Sequence, residues 1–73
     1  MTSLSEVAQL EAVIALQVSA LAQHKTAEEH WSSVGDAHRT DAAIWRQGYV
    51  TALLVQLRSD LAAVAGGNAV HVR

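Results

Sequence analysis

Seventy-three residues allow one domain, and a chain this short leaves much of its surface wet unless something else covers it. There is no cysteine, so neither a disulfide framework nor a thiolate zinc site can staple the fold, and stability has to come from packing. Five Lys and Arg against seven Asp and Glu give a formal charge of -2, and the basic residues are scattered, which argues against a phosphate-binding footprint.

Phe and Pro are absent, and Ala, Leu and Val dominate the 51% hydrophobic fraction, which predicts an all-α chain. No Lys or Arg precedes the first apolar run, as the charged start of a secretory signal would require, and Ala12 to Ala22 is about half a membrane span. The expected location is cytoplasmic. Ala-rich, Lys-poor usage with several Arg and His fits a GC-rich genome, bacterial or phage.

Ser3 and Glu6 form a capping-box pair, which starts the first helix near Leu4. Val7, Leu10, Ile14, Val18 and Leu21 share one face of it, and without a breaker before Gly35 it runs to about residue 33. Thr26 with Glu29 is a second capping-box match, at which a separate short helix could begin. Gly35 suits a left-handed helix end and Asp36 an N-cap, so residues 34–36 are the predicted turn.

The second helix is expected over about residues 37–65, stopped by Gly66-Gly67-Asn68, with 66–73 a flexible tail. Its seam is Val50, Leu53, Leu54, Leu57, Leu61 and Val64. Folding back about residues 35 and 36 sets Val7 against Val64, Leu10 against Leu61, Ile14 against Leu57, Val18 against Leu53 and Leu21 against Val50. The architecture predicted is an antiparallel two-helix hairpin about 43 Å long.

That hairpin strands other apolar side chains. Val13, Leu16, Ala20 and Trp31 on the first helix, and Trp45, Tyr49 and Ala52 on the second, are the expected oligomer or partner interface. Two hairpins would then pack as a four-helix bundle, a homodimer. Trp31 and Trp45 lie toward the turn, where Arg39 and Arg46 also stand, and aromatic and Arg side chains are the usual anchors of a protein partner. Gly48 and Ala52, one turn apart, would permit close helix approach.

Other chemistry finds less support. His24 and Glu28 have the spacing of two ligands on one helix face, with His38 and Asp41 across the turn, but Glu-x-x-His pairs are missing: Trp31 and Ser32 stand three residues after Glu28 and Glu29. No phosphate loop, GxSxG or HExxH occurs, so no catalytic residue, cofactor or metal is assigned and the chain reads as non-enzymatic. Arg39, Arg46 and Arg58 could touch nucleic acid, but Asp41 and Asp60 interrupt them and the helices are too long for a helix-turn-helix. A membrane surface would want cations bordering the first helix, where Glu6, Gln9 and Glu11 stand. The stretch Trp31-Ser32-Ser33-Val34-Gly35 is similar to the turn of the secreted Trp-X-Gly helical hairpins of actinobacteria; it is two residues longer, and Leu53 stands where their export signal, counted from Tyr49, has an acid. No secretion role follows from it.

Overall fold

The structure is a computed structural model that describes the backbone of residues 4–71 and the side chains of residues 6–66. Two helices, α1 (Leu4–Ser33) and α2 (Ala37–His71), pack against each other, with no strand among the described residues. The chain is all-α, a hairpin measuring 57 × 17 × 11 Å. No helix among the described residues is long and apolar enough to cross a membrane.

Local chemistry sets the turn. Gly35 has φ +78°, in the left-handed region where an L side chain would be strained. The Gly35 amide donates to the Ser32 carbonyl and the Asp36 amide to the Trp31 carbonyl at 2.9 Å, the bond pair of a Schellman motif closing α1. Asp36 then opens α2: its Oδ1 accepts from the Arg39 amide at 2.9 Å and its carbonyl from the Thr40 amide at 3.0 Å. One residue therefore satisfies orphan groups of both helices.

The seam between the helices follows a heptad. On α1 it takes Val7, Leu10, Ile14, Gln17, Leu21, His24, Glu28 and Trp31, all half-buried. On α2 it takes Thr40, Ala43, Gln47, Val50, Leu54, Leu57, Leu61 and Val64. Ala43, Val50 and Leu54 are the buried core, at 5% exposure or less. A 3.5-residue repeat keeps two long helices in contact, as in a left-handed coiled coil.

This corrects one expected core residue. Val18 is 45% exposed, and Gln17 stands in the seam instead. Following apolarity from Ile14 leads to Val18, whereas the three-then-four alternation leads from Ile14 to Gln17 and on to Leu21. Leu53 is half-buried beside the seam.

The helices also differ from expectation in extent. Thr26 begins no new helix; its hydroxyl donates to the Ala22 carbonyl at 3.1 Å, four residues back, and α1 runs on through it. At the other end α2 continues past Gly66 and Gly67 to His71, where a stop at 65 and a tail were expected. Glycine permits a helix to end but does not compel it, and no proline follows to block the next turn. The Ser3 cap involves residue 3, outside the described residues.

Candidate interaction surface

Trp31 lies where α1 ends, half-buried between the helices. The Arg39 guanidinium sits 4.4 Å from its ring centroid, and His30 meets its edge with centroids 4.7 Å apart at 71°. Arg39 is steadied from below by Asp36, with Nε to Oδ2 at 3.6 Å. The capping aspartate thus orients the arginine that covers the indole. Ala27, Trp31, His38, Arg39, Ala42, Ala43 and Arg46 line a hollow of about 400 Å³ at this end.

One turn further, Gln47 ties the seam together. Its Nε2 donates to Glu28 Oε1 at 2.6 Å and to the Ala43 carbonyl at 3.3 Å. A carboxylate standing in the seam thereby keeps a partner across it. The fold-back rule sets Glu28 level with Ala43 and Trp31 level with Thr40. The long side chains of Gln47 and Arg39 close the remaining distance.

Trp45 and Tyr49 stack on the outer side of α2, centroids 6.1 Å apart and 15° between planes, at 72% and 62% exposure. Their i, i+4 spacing places them side by side, turned away from the seam. Ala52 continues that outer stripe and is exposed. A Cβ built on Gly48 would meet nothing within 4 Å, so no contact inside the hairpin calls for glycine there.

The seven residues expected to form one interface separate into two places. Trp31 and Ala20 are half-buried, Ala20 beside the seam and Trp31 within it, with Val13 at 39% and Leu16 at 68% exposure on the same side of α1. Trp45 and Ala52 lie at the back of α2, with Tyr49 between the two places. Val34, Ile44 and Val55 are further exposed apolar side chains. A second hollow, of about 350 Å³, lies toward the open end and is lined by Glu6, Gln9, Leu10, Val13 and Val64.

His24, Glu28, His38 and Asp41 do not converge: no group of three His, Asp or Glu among the described residues could hold a metal ion. Arg39 and Arg46 stand one residue before the seam positions Thr40 and Gln47, whereas Arg58 stands one residue after Leu57, on the opposite flank, so the three arginines of α2 do not line one side. Sequence reasoning missed Gln17 and Gln47 as seam residues and the covering of Trp31 by Arg39. A strict heptad count would have found the first two.

The geometry defines an antiparallel helical hairpin with a small apolar core at Ala43, Val50 and Leu54 and several large apolar side chains exposed. Compared with family models, curated proteins and solved structures, the chain matches none.

Proposed function

We propose that this protein is a non-enzymatic helical interaction module that pairs with a second copy as a four-helix bundle and presents its turn-proximal aromatic residues to a protein partner. One observation carries the reading. Among the described residues three side chains are buried, while eight large apolar ones are exposed at 39% or more.

The distribution of the exposed side chains supports the same reading. Scattered singly they would be unremarkable, but Trp45 and Tyr49 are stacked, and Val13 lies one helical turn from Leu16.

Sedimentation equilibrium at micromolar concentration tests self-association: a dimer is expected, and a stable folded monomer refutes it. Trp45→Ala tests the partner face. It is expected to leave the dimer intact and to abolish capture of proteins retained by the unaltered chain. Unchanged capture removes Trp45 from that role.

A further inference from the structure

Two rows of side chains flank the seam on one side. On α1 they are Glu6, Val13, Ala20 and Ala27, each one residue before the seam positions Val7, Ile14, Leu21 and Glu28. On α2 they are Arg39, Arg46, Leu53 and Asp60, each one residue before Thr40, Gln47, Leu54 and Leu61. In an antiparallel pair, positions offset the same way from the seam on both helices face the same side. The turn-end hollow shows it directly, because Ala27 lines it together with Arg39 and Arg46.

This side has a pattern along its length. It is cationic near the turn (Arg39, Arg46), apolar in the middle (Val13, Ala20, Leu53) and acidic toward the open end (Glu6, Asp60). Leu53 stands seven residues from both Arg46 and Asp60, about 10.5 Å either way. Neither Arg46 nor Asp60 has an ion pair among the described residues, and Gln56 Nε2 donates to Asp60 Oδ1 at 2.9 Å.

We infer that this side is the self-complementary face onto which the second copy docks, with a two-fold axis running across the rod at the level of Ala20 and Leu53. The inference rests on the self-association proposed above and names its face and direction. Rotation about that axis stacks each helix antiparallel on its own copy. Leu53 meets the partner's Leu53, Ala20 meets the partner's Ala20, and Arg46 faces the partner's Asp60 twice over. The partner's Trp31 end then lies over the open-end hollow beside Val13 and Val64, and Arg39 comes level with the partner's Glu6. The competing arrangement, with the axis along the rod, brings like ends together, setting Asp60 toward Glu6 and the arginines toward one another. Charge selects the antiparallel pairing.

Charge swaps and cysteine placement test it. Arg46→Glu and Asp60→Arg each replace two attractions across the interface with two repulsions, and both sites are exposed in the hairpin, so the helix signal should persist. Each single variant is expected to raise the dimer dissociation constant about tenfold or more, and the double variant to return it close to the original value. In this cysteine-free chain, Ala20→Cys is expected to give a disulfide-linked dimer on mild oxidation, and Ala12→Cys, on the far side of α1, to remain largely unlinked. A monomeric unaltered protein sinks the self-association reading together with this one. A dimer that ignores both swaps, or that links through Ala12→Cys and not through Ala20→Cys, leaves self-association standing and overturns this face.

Discussion

The two ends of the hairpin are held together by different physics. Near the turn the seam is polar, and geometry secures it: the Schellman bonds, the Asp36 cap, the Gln47–Glu28 hydrogen bond and Arg39 over Trp31. Toward the open end the seam is Val7, Leu10, Ile14, Leu57, Leu61 and Val64, all apolar and half-buried, and apolar contact secures it. The difference teaches that directional bonds specify where the chain reverses, while non-directional burial extends the pairing once the register is set. Under the self-association proposed above, the open half has the more apolar surface to gain from cover, because its seam side chains are apolar and half-buried where those near the turn are largely polar.

The harshest break of this comparison is Leu54→Asp. Leu54 is 3% exposed, and an unpaired carboxylate there is expected to unfold the hairpin, read as loss of the helical circular dichroism signal. Hydrogen exchange sharpens the result: protection retained around Trp31 and Asp36 would show the two ends to be separable, while uniform loss would make them one cooperative unit.

A smaller loss is expected from Gly35→Ala, because the +78° φ persists only under strain in an L residue, costing about 1–2 kcal/mol in thermal or denaturant unfolding. Asp36→Ala should cost about 1 kcal/mol through loss of the N-cap. It should also loosen Arg39 over Trp31, seen as a change in indole fluorescence that Gly35→Ala does not produce. If Asp36→Ala leaves the indole signal unchanged, the aspartate is only a cap.

The turn was legible from the sequence because it is local. Gly35 supplies the left-handed conformation, Asp36 supplies the oxygen, and no distant contact is needed to choose them. The seam was legible where apolarity and heptad position coincide, as at Leu10, Ile14, Leu21, Leu57 and Leu61. It was illegible at Val18 and Gln17, where they disagree, since supercoiling is a property of two helices in contact and not of either alone. The residues expected at an interface were recognisable as surplus apolar side chains, but their division between one flank of the hairpin and the back of α2 depends on the direction of the seam.

By itself the sequence determined that this chain is two helices reversing at Gly35 and Asp36, because helix propensity, capping and backbone handedness act within a few residues. The tertiary structure alone decided that Gln47 bonds Glu28 across the seam and that Trp31 lies under Arg39. It alone also aligned Arg39, Arg46, Leu53 and Asp60 beside Val13 and Ala20. Which residues share a side is fixed by how one helix rotates against the other, and that rotation is set by the sum of contacts along the whole rod.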